Sequence, residues 1–324
     1  MKICIYGAGA IGGWLGVRLA RSGHEVSVVA RGATLIALRQ YGLRLQEGGR
    51  LVSVAVAASD QPEDLGVQEL VVIAVKAPAM VEVARQVGPL LGPATVVLTA
   101  MNGVPWWFFQ GFGGALQGTE LKSVDAGGEI GRGIPAAAIV GGVVHASCLH
   151  PEPGLVQHHL GNKLIVGEPS GRNTARLQAL ANALAGAGFE VVQSEQIQRD
   201  IWYKLWGNMS VNPISALTGA TTDLLLDDDL VRAFISNIML EAKEIGARIG
   251  IPIDQRPEDR HAITRKLGAF KTSMLQDIES GRKVELDALL SAARELAQLT
   301  GIATPHTDAL LGLARVQARV KGLY

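Results

Sequence analysis

Apolar residues in this chain fall first into short unbroken runs and later into stretches of helical period. The runs at 2–6, 25–30, 69–75 and 94–100 are rich in Val, Ile and Leu and are bounded by turn residues, which predicts buried strands. Helical period fills the gaps at 13–22 and 80–91. The first of these helices ends in basic residues, with Gly23 placed as a C′ cap. Residues 43–47 and 51–56 alternate around Gly48-Gly49, the pattern of a hairpin. Further strands are predicted at 136–145 and 154–166, then a helix over 176–187 and a last strand at 190–193. Such strand–helix alternation implies a parallel sheet covered on both faces.

The pattern changes near Glu195. From there the period is helical over 198–211, 228–249, 260–280, 285–300 and 306–320, and no comparable strand remains. The predicted fold is therefore α/β: a Rossmann-type parallel sheet domain over 1–194, followed by an all-α helical domain over 195–324. The length, 324 residues, agrees with two domains of roughly 150 residues each.

Composition narrows the function by exclusion. Lys plus Arg and Asp plus Glu both number 30, so there is no basic field to attract nucleic acid or a membrane surface. No apolar segment has the length of a membrane span. The N-terminal apolar run is interrupted by three glycines at fixed spacing and followed by Arg18 and Arg21, which argues against a secretory signal. Two isolated cysteines, Cys4 and Cys148, make neither a disulfide framework nor a metal knuckle. A cytoplasmic, reducing setting is expected.

The candidate chemistry begins at Gly7-Ala8-Gly9-Ala10-Ile11-Gly12, a G-x-G-x-x-G pattern between a predicted strand and helix. Gly7 permits a tight turn, Gly9 lets the backbone approach a pyrophosphate, and Gly12 allows close helix–strand packing. The pyrophosphate then meets a helix N-terminus. At the end of the second strand stands Arg31, where an NAD enzyme carries a carboxylate. A guanidinium there favours a 2′-phosphate, and so NADPH, although a solvated arginine is the plain alternative. Lys76 and Asn102 follow the next two strands, at the carboxyl ends where ligands of open α/β sheets lie. Each is also the kind of polar residue that loops carry without a ligand.

In the helical half, Lys204, Asn208 and Asn212 recur at four-residue spacing and share one helix face. The stripe reads as a solvated polar face or as a track into a ligand site, with Lys204 as proton donor. Pro213 is expected to stop the preceding turn from continuing unbroken. Glu285 sits near the start of a later helix, where an acid also suits the helix dipole. Asp227, Asp228 and Asp229 look like a helix N-cap run. His145, His150, His158 and His159 are crowded, but no carboxylate or cysteine lies at ligand spacing, and no metal is expected.

Together these segments resemble the ketopantoate reductase family (2-dehydropantoate 2-reductase). The resemblance is carried by residues 2–12, Arg31, Val75-Lys76-Ala77, Asn102-Gly103 and Pro153-Gly154-Leu-Val-Gln-His158. Its most specific parts are Trp202-Tyr-Lys204-Leu-Trp-Gly-Asn208-Met-Ser-Val-Asn212-Pro213 and Thr272-Ser273-Met-Leu-Gln-Asp277, followed by Glu285. It implies NADPH-dependent reduction of a 2-oxo acid, 2-dehydropantoate to pantoate, in pantothenate biosynthesis. It also implies that Lys204 protonates the ketone oxygen and that Glu285 holds the substrate hydroxyl or the lysine. Asn208, Asn212 and Ser273 would bind the substrate, Asn102 would bridge cofactor and substrate, and Arg31 and Lys76 would contact NADPH.

One segment departs from the family. After Asn102-Gly103-Val104 come Trp106, Trp107, Phe108, Phe109 and Phe112, a third of all the aromatics. They read as a loop folded onto the core, as a dimer contact, or as an apolar lid that admits a bulkier 2-oxo acid or ketone. A non-catalytic NADPH-sensing protein is a further alternative, disfavoured by the presence of both Lys204 and Glu285. The alanine-rich C-terminal helices suit a homodimer contact and a core equally.

Overall fold

A computed structural model describes residues 1–324. The chain clusters into two units, Met1–Met101 with Gly128–Ile197, and Asn102–Gly127 with Gln198–Tyr324.

The first unit is built on ten strands: β1 (Lys2–Tyr6), β2 (Glu25–Val29), β3 (Leu43–Glu47), β4 (Arg50–Val54), β5 (Ala57–Ser59), β6 (Leu70–Ile73), β7 (Val96–Thr99), β8 (Ile139–Glu152), β9 (Leu155–Gly167) and β10 (Glu190–Gln193). Its helices are α1 (Ala10–Arg21), α2 (Gly32–Tyr41), α3 (Met80–Gln86), α4 (Glu129–Gly133) and α5 (Ala175–Gly186). Six strands pair in parallel in the order β5-β2-β1-β6-β7-β8. That is the 3-2-1-4-5-6 order of a doubly wound dinucleotide fold. The central strands β1, β6 and β7 are almost wholly buried and carry Ile, Val and Leu on both faces, as parallel strands between helix layers must.

The Rossmann-type reading therefore holds, with one refinement: the sheet is mixed. β8 and β9 form a long antiparallel hairpin, β9 then pairs in parallel with β3 and β10, and β3 pairs antiparallel with β4 around Gly48-Gly49. Strand β8 runs seven residues beyond the expected end at 145. Register irregularities after His145 and again before Glu152 break the period-2 alternation there, so the sequence does not display it. Pro153-Gly154 supplies the turn, with Gly154 at φ +73°.

Other boundaries move for equally local reasons. Helix α1 begins at Ala10, not 13, because Gly9 is its cap and the glycine-rich turn already contains the first helical turn. Helix α2 and strand β5 had no counterpart in the sequence reading.

The second unit is helical: α6 (Ile197–Thr218), α7 (Thr222–Asp227), α8 (Asp229–Arg248), α9 (Pro257–Arg265), α10 (Ser273–Glu279), a π-helical stretch (Asp287–Ser291) leading into α11 (Ala292–Thr300), and α12 (Pro305–Val320). Asp228 caps α8 through the Val231 N–H, as its place in the acidic run predicts. Three expectations fail here. Helix α6 does not break at Pro213 but continues to Thr218. Nearly every residue from 205 to 216 is buried, and packing on all sides offsets the single backbone bond that the proline removes. The helix expected over 260–280 is two helices, α9 and α10, separated by a turn at Gly268 with φ +63°. Residues 102–127, assigned by sequence to the sheet domain, belong to the helical unit. The Val104 N–H donates to the Ala288 carbonyl at 2.9 Å, and the Lys122 and Ser123 N–H groups donate to the Glu295 carboxylate at 2.9 and 2.8 Å.

The aromatic run lies inside this segment. Trp106, Trp107, Phe108 and Phe109 are buried, and only Phe112 is half-exposed. Phe108 meets Phe109 edge-on at 5.2 Å and Phe112 at 6.0 Å, and lies 6.5 Å from Trp202 of α6. The segment is core of the helical unit, which removes the observation behind the lid reading.

Candidate functional site

In the first unit the glycine loop has the shape its spacing predicts. Gly7 takes φ +98°, and a Cβ there would stand 2.6 Å from the Val75 side chain. At Gly12 a Cβ would fall 2.0 Å from the Gly7 carbonyl oxygen, so the helix can sit this close only without a side chain. Above Gly9 nothing lies within 4 Å of the Cβ position, leaving the backbone open to a phosphate. No acidic residue occupies the first turn of α1, so the positive end of its dipole stays available to an anion. Ala8, Ala10 and Ile11 complete the loop and the first helical turn.

A pocket of about 260 Å³ opens here, lined among others by Gly7, Gly9, Arg31, Thr34, Asp60 and Glu82. Arg31 is thus at an opening beside the glycine loop, where it is ion-paired with Glu82. Sequence reasoning missed Thr34, Asp60 and Glu82, because no local motif marks them. Lys76 caps the short 3₁₀ turn Ala77–Ala79 after β6 and is half-buried. The residues present fit a dinucleotide.

In the second unit Lys204, Asn208 and Asn212 project from one face of α6. Lys204 and Asn208 are half-buried and Asn212 is buried, so the stripe is not a solvated face. The opposite side of the helix is fixed by two indoles: Trp202 Nε1 donates to the Ala242 carbonyl at 3.2 Å and Trp206 Nε1 to the Met239 carbonyl at 2.8 Å.

Lys204 retains a small opening to solvent but is densely surrounded by protein. Desolvation pushes its ammonium down from 10.5 to about 8; the Glu285 carboxylate acts in the opposite sense, and the Arg260 guanidinium lowers it further. Glu285 immediately precedes the turn leading into the π-helical stretch, and its carbonyl accepts from the Leu289 N–H at 3.2 Å. Against the same stretch lies the 102–104 turn. Gly103 has φ +85°, and a Cβ there would be 2.6 Å from both the carbonyl oxygen and the Cβ of Ala288. Asn102, half-buried, is thereby anchored beside the segment that carries Glu285. A π-turn of this kind often marks a functional position.

Ser273 is different: it is exposed at the first position of α10, behind the Thr272 cap. Arg260 was not foreseen. The available signal was Gly207, an isolated glycine inside a helical run, which marks a close approach by another group.

The four histidines go separate ways. His158 stacks on Trp14 at 5.4 Å and pairs with Glu47, and His150 lines the dinucleotide pocket. No group of three or more His, Cys, Asp or Glu is gathered at metal-binding distance. No helix is long and apolar enough to cross a membrane.

A phosphate loop on a 3-2-1-4-5-6 sheet, together with a buried lysine under carboxylate control in a helical unit, defines a nicotinamide-dinucleotide-dependent oxidoreductase. Comparison with known proteins narrows the class. Residues 3–171 match the family Ketopantoate reductase PanE/ApbA and residues 196–318 match its C-terminal region, and the chain belongs to this family. A 2-dehydropantoate 2-reductase of Mesorhizobium japonicum is 45% identical over 100% of both chains. A Ralstonia solanacearum crystal structure, provisionally described as a ketopantoate reductase, is 52% identical with TM-score 0.96, covering 100% of this chain and 99% of the other. A 2-dehydropantoate 2-reductase structure from Geobacter metallireducens is 27% identical with TM-score 0.86, covering 98% and 100%.

Proposed function

We propose that the protein reduces 2-dehydropantoate to pantoate with NADPH, the reductive step of pantothenate biosynthesis. The observation that carries this reading is Lys204: a buried ammonium with pKa near 8, next to Glu285 and on one face with two asparagines, in a chain of the ketopantoate reductase family.

NADPH, when bound, supplies the hydride. Gly7, Gly9, Gly12 and the α1 N-terminus would hold its pyrophosphate, Arg31 its 2′-phosphate, and Lys76 and Asn102 further parts of the cofactor. Lys204 Nζ would donate a hydrogen bond to the substrate ketone oxygen and transfer its proton there as negative charge develops. An ammonium with pKa near 8 is a stronger acid than an exposed lysine and is still mostly protonated at neutral pH. Glu285 keeps it so and would accept a hydrogen bond from the substrate hydroxyl. Asn102, Asn208, Asn212 and Ser273 offer amide and hydroxyl groups that would orient the 2-oxo acid.

The test is the oxidation of NADPH followed at 2-dehydropantoate concentrations spanning saturation. Efficient turnover is expected, and Lys204→Ala should slow it by about 10²–10⁴-fold while cofactor still binds. No NADPH oxidation with any 2-oxo acid, or a Lys204→Ala rate near wild type, overturns the reading.

A further inference from the structure

Arg260 is the fourth residue of α9. At its start the Arg256 N–H donates to Asp259 Oδ2 at 2.9 Å. The Arg260 side chain crosses to α6, where its guanidinium lies against Gly207. A Cβ at position 207 would stand only 2.8 Å from both Nε and Nη2. On the other side, the guanidinium carbon lies 5.1 Å from the centre of the Tyr203 ring. Tyr203 is itself fixed, its hydroxyl donating to Gln255 Oε1 at 2.8 Å, while Lys243 Nζ donates to the Gln255 carbonyl at 2.7 Å. A planar cation is thus clamped between a bare backbone and an aromatic face, one turn of α6 from Lys204.

This clamp leaves a donor unused. The Nε–H of Arg260 is buried and has no hydrogen-bond partner. Other arginines of this unit meet carboxylates: Arg256 with Asp259, Arg265 with Asp227, Arg282 with Asp277 and Arg294 with Asp308. An orphaned buried donor costs stability unless a ligand supplies the acceptor. Local charge points the same way. Lys204 and Arg260 are two cations that feel each other, with the Glu285 carboxylate acting on Lys204. An anion placed beside both would be attracted by both. A guanidinium held flat is suited to a carboxylate, which it can grip through two parallel N–H bonds.

We propose that Arg260 binds the carboxylate of the 2-oxo acid substrate, an inference that rests on the reductase reading above. In this role Arg260 selects acids over neutral ketones, and Gly207 is glycine because the guanidinium must pass there. Lys204 then addresses the ketone oxygen while Arg260 addresses the adjacent carboxylate. These are neighbouring functional groups of one small molecule.

The test compares 2-dehydropantoate with its neutral lactone, which keeps the ketone and lacks the carboxylate. Arg260→Gln is expected to raise KM for the acid about 10–100-fold, the scale of a lost charge-assisted hydrogen bond, and to leave the lactone KM nearly unchanged. Gly207→Ala removes no polar group but forces the guanidinium aside, and the same loss of discrimination is expected without a lowered Tm. Arg260→Lys, which keeps charge but not the planar fork, should recover part of the preference. An unchanged acid-to-lactone ratio in Arg260→Gln, or an equal loss on both substrates, overturns the inference and leaves the reductase reading standing. A wild-type enzyme that reduces no 2-oxo acid overturns both.

Discussion

The Glu285 carboxylate counters the burial that drives Lys204 towards its neutral form. The lysine belongs to α6, and the acid lies about eighty residues further along, before the π-helical stretch. Without the acid, desolvation and the Arg260 cation would act on Lys204 unopposed. In the proposed reaction the two residues would hold the proton together.

That relationship predicts a pH profile. A general acid must be protonated to act, so reductase activity should be full below the Lys204 pKa and fall as pH rises through about 8, not through the ordinary 10.5. Glu285→Gln removes the charge that favours the ammonium, so the basic limb should move to lower pH. Arg260→Gln removes a repelling cation and should move it to higher pH. The measurement is kcat/KM from pH 6 to 10. A limb that stays put in Glu285→Gln means that another group controls it.

In the proposed reaction, cofactor choice would turn on Arg31 and Glu82. Both side chains are largely exposed, and exposed ion pairs contribute little, on the order of 0–1 kcal/mol. A 2′-phosphate with its double charge should therefore displace Glu82 from Arg31. Arg31→Asp should reduce the preference for NADPH over NADH by about 10²-fold, the scale of a lost bidentate phosphate contact. Glu82→Gln should tighten NADPH a few-fold by removing the competitor. Titrating both cofactors by fluorescence decides it: tighter NADH binding by the wild type removes Arg31 from the phosphate site.

Much of this was legible along the chain, and the reasons are physical. β1, the glycine loop and β2 are contiguous, Gly7 and Gly12 answer local steric demands and Gly9 leaves the backbone open, so a short stretch of sequence contains the whole argument. Lys204, Asn208 and Asn212 share a face because α6 is regular. What the sequence cannot display is juxtaposition between distant segments. Arg260 meets Gly207 across more than fifty residues, and Val104 meets Ala288 across nearly two hundred. The aromatic run after Asn102 leaves core, dimer contact and lid equally open in the sequence because its apolar character is local, whereas a burial partner, Trp202, lies in α6. Pro213 misled for the opposite reason: a local helix-breaking signal was overridden by packing from every side.

The burial of that aromatic run makes its own prediction. Phe108 is fully buried and touches Phe109, Phe112 and Trp202. Phe108→Ala should cost about 3–5 kcal/mol through the cavity it leaves. For a unit of this size that corresponds to a Tm drop of about 10 °C in a thermal melt. The relative rates for small and bulky 2-oxo acids should stay as in the wild type. A variant that melts normally but accepts a new size of substrate would restore the lid.

Lys204 links activity to stability in a direction that can be worked out. Its folded-state pKa, about 8, lies below the 10.5 of an ordinary lysine. Between those values the unfolded chain binds more protons than the folded one, so stability rises with pH across this window. Below pH 8 the full penalty of the buried ammonium is present. Lys204→Met removes it and should stabilise the protein at pH 7 by at most about 3 kcal/mol, the drop from 10.5 to about 8 taken at about 1.4 kcal/mol for each pH unit. The attraction of Glu285 for the ammonium is already contained in the folded value of about 8, and it disappears from the wild type as the lysine loses its proton. The sharper observable is therefore the pH trend: the advantage of Lys204→Met in urea unfolding should shrink steadily from pH 8 to 10.5, while reductase activity is lost throughout. A constant advantage across that range would mean that the folded lysine titrates like an exposed one, and that burial does not tune the proton donor.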